Sequence, residues 1–350
     1  MRLPSILTAA LVASSVVSAS AQSPSQTSSP ATGGLQFRFV DVEGGAATLV
    51  LTPAGESILI DSGDPGDRDA GRIALAAREM GIAAIDHYIT THWHSDHFGG
   101  IGPLSKLLPV KAIYGHKLPE PLGTDIKPEL VEIWKSLSPQ PIFLSAGDSI
   151  ALRGKRGTPT PKLKILAANG LVVGEKEGAP AITTCNDGQQ PQPEDTSDNA
   201  RSLAMLLTYG EFDLFAGGDL TWNIEHKLTC PARIVPKVDV FLVNHHGLDQ
   251  SNNPSLVEAL APEVAIVNSG PRKGAEPRTM ALLNKQLRDV GVFQIHRNVR
   301  PGAVNADPAR IANEAEACTA QPLLLRVDPS GGHFTVTVPS RHVDREFSAR

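Results

Sequence analysis

The sequence predicts an α/β (α+β) domain built on two β-sheets, and three observations carry that expectation. Strand-like apolar runs alternate with helical patterns along most of the chain, and two of the runs lead straight into clusters of histidine. What remains after a short leader is also long enough for a large two-sheet domain with insertions.

Residues 1–21 have a signal-peptide profile: Arg2 near the start, an apolar run from Ile6 to Val17, and the small-residue site Ala19-Ser20-Ala21 before Gln22. Cleavage after Ala21 and a periplasmic or secreted product are expected. The apolar run is too short for a lasting span and no other stretch reaches ~18 apolar residues, so no membrane span is expected after cleavage. Residues 22–34 are rich in Ser, Pro and Gly and read as a flexible linker.

The domain is expected over residues 35–340, with a tail at 341–350. Strand-like runs occupy 35–42, 46–53 and 57–63. A helix follows from Asp67, with Ala70, Ile73, Ala74 and Ala77 on one face and Gly81 at its end. The next strand runs from Ile85 to Thr91. Later strands are expected at 162–168, 202–210, 212–218, 238–244, 263–270 and 333–339. Residues 174–198 form a long polar segment rich in Pro and Gln, a length that marks either disorder or function; ending on Asp198, it is a candidate partial lid.

The formal charge of −5, from 32 Lys and Arg against 37 Asp and Glu, comes without a basic stripe. Strong nucleic-acid binding is therefore not expected, although a phosphate substrate is not excluded. The three cysteines, Cys185, Cys230 and Cys318, allow one disulfide and leave one thiol in an oxidising compartment. None is placed like a metal ligand. Cys185 with Cys230 is the preferred pairing, with the alternatives left open.

The densest chemical signal is Thr91-His92-Trp93-His94-Ser95-Asp96-His97-Phe98-Gly99-Gly100. Three imidazoles and a carboxylate within six positions, on a turn after an apolar strand, put His92 and His94 on one side and Asp96 and His97 on the other, enough donors for two cations. A two-metal centre needs a bridging carboxylate. Asp219, after the run 212–218, meets that need, with Gly217 and Gly218 removing bulk where cations approach; capping of a helix starting near Thr221 is the plainer alternative. A buried strand also runs into His245-His246-Gly247. His87 and His296 lie in strand-like runs without companion ligands and read as structural, while His116, His226, His333 and His342 carry no signal above chance. Arg201, Lys237, Arg272 and Lys273 lie near the motifs and can touch phosphate, but read as ordinary solvated cations.

Taken in order, ILIDSG (58–63), THWHSDHFGG (91–100), DNARSLAMLLTYG (198–210), LFAGGDL (214–220), VDVFLVNHHGLDQS (238–251) and PEVAIVNSG (262–270) resemble the metallo-β-lactamase superfamily. Within it, the Asn-x-x-Ser-Leu segment and His-His-Gly resemble the branch typified by the hydrolase domain of the DNA-internalisation competence protein. The resemblance implies a four-layer αβ/βα sandwich with metals in a cleft at one edge of the sheets. It also implies that His92 and His94 bind the first metal, Asp96 and His97 the second, and that Asp219 bridges them. One of His245 and His246 is then the further ligand of the second metal; His246 is preferred as the ligand and His245 as the substrate-facing group, with the reverse left open. Asp61 matches a first-motif aspartate that orients ligands by hydrogen bonds.

Two departures from the pattern bear on function. The superfamily's usual third-motif histidine falls at Asp198-Asn199 here, as it does in the branch, so the first site is expected to be open and weaker, with Asp198 or water filling it. Where the branch carries Gly-His-Pro, this chain reads Gly274-Ala275-Glu276-Pro277.

Nitrogen and carboxylate ligands without thiolate suit Zn²⁺ first and Mn²⁺ or Fe next, at two sites. Such cations make hydroxide from water near neutral pH for attack on phosphorus or a carbonyl carbon. His245 and Asp96 are the candidate catalytic groups, Asp96 doubling as a ligand. The leading expectation is an exported metal-dependent hydrolase of a phosphoester, either a phosphodiester or a small or polymer-linked ester. The alternatives are a lactone or β-lactam hydrolase and a noncatalytic metal-binding module. Substrate identity and oligomeric state are left open by the sequence.

Overall fold

The computed structural model describes residues 33–138, 140–180, 182–185, 187–287 and 291–350. The signal-peptide expectation at 1–21, and the linker expectation up to residue 32, lie outside the described residues. No described helix is long and apolar enough to cross a membrane.

The first half of the domain runs β1 (Leu35–Phe39), β2 (Thr48–Leu51), β3 (Ser57–Ile60), α1 (Asp67–Glu79), β4 (Ile85–Ile89), α2 (Ser95–Phe98), α3 (Ile101–Leu107), β5 (Val110–His116), α4 (Pro128–Ser136) and β6 (Ile142–Leu144). The second half runs β7 (Ser149–Ile150), β8 (Lys162–Ala168), β9 (Leu171–Val172), β10 (Ala204–Tyr209), β11 (Phe212–Ala216), α5 (Trp222–Lys227), β12 (Val240–Leu242), α6 (Pro254–Leu260), β13 (Val264–Val267), α7 (Pro277–Gln286), β14 (Val292–His296) and β15 (Ile311–Asn313). The chain then returns to the first sheet through β16 (Leu323–Val327), β17 (His333–Val338) and β18 (Val343–Ser348). Residues 341–350, expected as a tail, instead contribute β18, which pairs antiparallel with β17 from His333 to Val338.

Among the described residues the first sheet has the order β18-β17-β16-β1-β2-β3-β4-β5-β6. The second has the order β15-β14-β13-β12-β11-β10-β8-β7, with β9 beside β8. Successive side chains of a strand face opposite ways, and here the alternation makes three apolar layers. Phe37, Phe39, Ile58 and Ile60 of the first sheet meet Leu163, Met205, Leu214 and Ile266 of the second between the sheets. On the outer side of the first sheet, Leu49, Leu59 and Tyr88 pack on Ala70, Ile73 and Ala77 of α1, Leu104 of α3 and Trp134 of α4. On the outer side of the second, Phe215, Phe241 and Val267 pack on Ile224 of α5, Leu256 of α6 and Met280 of α7. The result is the four-layer αβ/βα sandwich of the metallo-β-lactamase fold.

Parallel pairing places the site. β3, β4 and β5 run parallel in the first sheet, and β11, β12, β13 and β14 in the second. The segments that follow the ends of these strands converge at one edge. Several strands stop two or three residues before their expected ends: β3 at Ile60, β4 at Ile89, β11 at Ala216, β12 at Leu242 and β13 at Val267. The residues after each stop leave the ladder and carry the site.

Candidate metal centre

The histidine turn leaves β4 and enters α2 directly, so His92, His94, Asp96 and His97 are presented in little more than one turn of backbone. Four side chains from three segments meet there: Asp96, His97, Asp219 and His246 each offer an atom within 4.8 Å of the other three. His97 Nε2 lies 3.2 Å from Asp219 Oδ1, 3.2 Å from His246 Nε2 and 3.5 Å from Asp96 Oδ2. His246 Nε2 is 3.3 Å from both Asp96 Oδ2 and Asp219 Oδ2. His92 approaches from the other side, its Nε2 3.8 Å from Asp219 Oδ2.

The outer nitrogens are held in place. His97 Nδ1 is 2.7 Å from Asp61 Oδ2, and Asp61 Oδ1 accepts the backbone N–H of Thr91. His246 Nδ1 is 3.2 Å from the Asn268 carbonyl oxygen. Fixing one ring nitrogen on a carboxylate or carbonyl turns the other inward as a lone-pair donor, the usual support for a metal-binding imidazole. Asp61, His245 and His246 all have left-handed backbones, with φ of 58°, 53° and 55°. Such conformations cost about 1–3 kcal/mol each and persist where the surroundings over-determine them.

The surroundings of the histidine turn are visible in the hydrogen bonds. Buried Glu225 of α5 accepts from Asn244 Nδ2 at 2.6 Å, from Asn252 N at 2.9 Å and from Asn253 N at 2.7 Å, closing the loop that carries both histidines. Gly217 and Gly218 serve close packing more than cation access: a Cβ on Gly217 would meet Asn244 Oδ1 at 2.5 Å, and one on Gly218 would meet Thr91 Cβ at 2.8 Å. Thr221, not Asp219, is the N-cap residue of α5, so the capping alternative for Asp219 does not hold.

Electrostatics follow from this crowding. Burial opposes charge on His97, but Asp219, Asp61 and Asp96 outweigh it and hold the imidazole well above its ordinary value. Burial likewise opposes charge on Asp219 and Asp96. The histidines around them dominate, His246 and His97 for Asp219 and His97 for Asp96, and hold both carboxyls well below theirs. His92 is held well below the imidazole range by burial and by His97. Burial brings His245 down to about 4.

These residues fit divalent cations on their own chemistry. Two imidazole nitrogens face each other across two carboxylates, while His92 Nε2 is buried with no hydrogen-bond partner among the described residues. Unpaired buried nitrogen and converging lone pairs call for a positive centre.

Other expected residues fall in different places. His94 Nε2 turns to Asp125 Oδ2 at 2.9 Å and lies outside the four-residue cluster, although its ring stays 4.7 Å from that of His92. Asp198 braces the turn from behind: its Oδ2 accepts from Trp93 N at 2.6 Å and lies 3.1 Å from His116 Nε2. Its Oδ1 is buried with no hydrogen-bond partner among the described residues. His245 Nδ1 is 3.1 Å from Ser251 Oγ, and its Nε2 is 3.4 Å from Asn199 Nδ2 and 3.5 Å from Asp219 Oδ2.

Lys273, read from sequence as a solvated cation, is ion-paired with Asp96 at the rim. Arg272 pairs instead with exposed Glu316, and Lys237 is exposed. The segment 174–198 is strapped along α5. Trp222 Nε1 donates to Gln190 O, Asn223 and Gln192 exchange two bonds, His226 meets Asp187, and Cys185 is bridged to Cys230. Among its described residues only Asp198, at its end, bonds to the histidine turn, so the candidate lid is a fastened strap with one foot at the site. Asp125, His116, Ser251, Asn268 and Glu225 were not singled out by sequence reasoning; each is a single polar residue whose partner lies elsewhere in the chain.

The fold is that of the metallo-β-lactamases, the cluster is a candidate metal centre, and residues 40–177 match the family model described as the metallo-beta-lactamase superfamily. Among curated proteins the chain is 24% identical over 238 residues to Recombination protein 2 of Haemophilus influenzae, covering 67% of this chain and 24% of that protein. It is 31% identical over 83 residues to Atrochrysone carboxyl ACP thioesterase dmxR1 of Cryptosporiopsis sp., covering 22% and 26%. The chain thus spans about a quarter of the length of either relative. Among solved structures it is similar to Igni18, a metallo hydrolase of Ignicoccus hospitalis, with 14% identity, a TM-score of 0.41 and coverage of 76% and 96%.

Proposed function

We propose that the chain is an exported, metal-dependent phosphoester hydrolase. The observation that carries this reading is the convergence of Asp96, His97, Asp219 and His246 within 4.8 Å, beside a lysine at the rim. Asp219 faces both His92 on one side and His97 with His246 on the other, and is the carboxylate that would be shared between two cations held there. Zinc is the first choice, with manganese or iron next, for a donor set of nitrogen and carboxylate. Cations held there supply Lewis acidity and a nucleophile from water near neutral pH.

The chain's own groups do the rest. Asp61 and the Asn268 carbonyl fix the ring orientations of His97 and His246. Lys273 stands where an anionic oxygen of the substrate would enter, and its pairing with Asp96 shows that it reaches the centre. His245, held through Nδ1 by Ser251, has its Nε2 turned towards Asp219 and, in the tautomer protonated at Nε2, is placed to donate a hydrogen bond to a substrate oxygen as charge develops. The likeness to Recombination protein 2 supports including nucleic acid among the substrates tested, and the net charge of −5 favours a small or polymer-linked phosphoester over tight capture of DNA. A carbonyl ester is the second reading, favoured by the likeness to the thioesterase.

Purified chain loaded with Zn²⁺ or Mn²⁺ should be assayed on bis-p-nitrophenyl phosphate, single-stranded DNA, an acyl thioester, an acyl lactone and a chromogenic cephalosporin. Fastest turnover is expected on a phosphodiester. Opening of the cephalosporin, or cleavage of the thioester, with no activity on any phosphoester under either metal would overturn the assignment.

A further inference from the structure

Three residues that the sequence leaves unconnected meet in the fold: Asp41 from the loop after β1, His296 at the end of β14, and Cys318 from the connection between β15 and β16. A carboxylate oxygen, an imidazole nitrogen and Sγ, one from each, all lie within 4.8 Å of one another. Asp41 and His296 are fully buried, and Cys318 is partly exposed. None of the three belongs to the cluster at the histidine turn.

The plainest account is an inert thiol hydrogen-bonded to a carboxylate. Cys318 Sγ does donate to Asp41 Oδ2 at 3.2 Å, while Asp41 Oδ1 accepts the Glu43 N–H at 2.9 Å. Burial, with Asp41 adding to it, pushes the thiol up to about 11, so it stays protonated in the metal-free chain. That account leaves His296 unexplained. Its Nδ1 is 3.0 Å from the Arg297 carbonyl oxygen, which fixes the proton there and makes Nε2 the lone-pair nitrogen. Nε2 is buried and has no hydrogen-bond partner among the described residues. An orphaned buried acceptor beside a thiol and a carboxylate has a standard resolution, a bound ion.

We propose that Asp41, His296 and Cys318 form a second, separate cation site for a thiophilic divalent ion of the zinc class. Imidazole, thiolate and carboxylate are the donor types zinc accepts, and the exposed side of Cys318 leaves a fourth position to solvent. On binding, the S–H bond breaks, its electron pair goes to the cation and the proton leaves to solvent, with nothing oxidised or reduced.

The site would staple the two sheets together, since Asp41 follows a strand of the first and His296 ends a strand of the second. It lies close in sequence to supports of the main centre. Ser269 Oγ donates to the His296 carbonyl, and the neighbouring Asn268 carbonyl holds His246. On the other side, the loop that begins at Asp41 ends at Ala46, whose N–H is bonded to the Asp96 carbonyl. The role assigned is therefore to hold these segments in position, and the site contacts no reacting atom.

Cobalt titration of the purified, metal-stripped chain tests it. Cys185 and Cys230 are bridged and the main cluster contains no sulfur, so a sulfur-to-cobalt charge-transfer band can arise only from Cys318. At saturating Co²⁺ the band is expected in the wild type with the intensity of a single thiolate ligand, to persist in Asp219→Ala and to vanish in Cys318→Ser. No band in the wild-type chain at saturating Co²⁺ overturns the site, and that result does not depend on any variant folding. As a second reading, Asp219→Ala is expected to retain one zinc that Asp219→Ala/Cys318→Ser loses; equal zinc in the two also overturns it. Neither outcome touches the phosphoester reading, which uses a different set of residues.

Discussion

His245 and Asp219 approach to 3.5 Å yet should fail in different ways when removed. His245 lies outside the four-residue cluster and is held by Ser251 and Asn199. His245→Ala is therefore expected to keep its metal and lose about 10²–10³ in kcat, the cost of one oxyanion donor. Elemental analysis beside steady-state kinetics checks this; loss of metal in that variant would give His245 the ligand role. The clustered residues stood out in the sequence because Asp96 and His97 share one short motif, and Asp219 and His246 each follow a recognisable strand. Their supports were not. Asp198 grips Trp93 across 105 positions and Lys273 reaches Asp96 across 177, and no local pattern encodes such pairings.

The short helix α5 fastens both halves of the second sheet's site loops. Glu225 binds Asn244, Asn252 and Asn253 around the two left-handed histidines, and burial pushes its carboxyl up to about 7. A carboxyl raised above its ordinary 4.5 contributes stability that is full below that value and is lost as pH climbs through about 7. The stability of the wild type relative to Glu225→Gln should therefore fall by ~3 kcal/mol between about pH 4.5 and about pH 7.5, measured by urea unfolding. A difference that stays flat across that window would contradict the buried, raised carboxyl. Just beyond this helix, the Cys185–Cys230 bridge closes the strap over a separation of 45 residues. Cys185→Ser/Cys230→Ser is expected to lose about 2–4 kcal/mol of unfolding free energy while keeping its metal content, since the strap contributes no residue to the four-residue cluster. Metal loss in that variant would show that the strap shapes the centre itself. Helix α1 matched its apolar face from the sequence, as did most strand cores. Strand ends did not, because Asp61-Ser62-Gly63 and Asn268-Ser269-Gly270, expected to close their strands, instead leave the ladder and build the site.

At the scale of the whole molecule, two sheets present the ends of parallel strands to one edge, and the cluster draws on both: Asp96 and His97 follow β4 of the first, and Asp219 and His246 follow β11 and β12 of the second. Binding there should stabilise the entire fold, by about 2.7 kcal/mol at a free cation concentration 100-fold above Kd. Thermal unfolding with and without chelator checks it, and an unchanged Tm would count against a cation shared between the sheets. The two-sheet α/β class was legible from the alternation of strand-like and helical runs and the sandwich from the family resemblance of the ordered motifs, whereas β18 was missed because its charged run Asp344-Arg345-Glu346 reads as a solvated tail until it is seen paired with β17. The most direct test of the centre is elemental analysis of the wild-type chain and Asp219→Ala, purified side by side and both shown to be folded. A carboxylate between His92 and the His97–His246 pair should take one to two equivalents of metal with it when it is removed. Equal metal content in the two proteins would contradict the bridging role of Asp219 and the hydrolytic centre built on it.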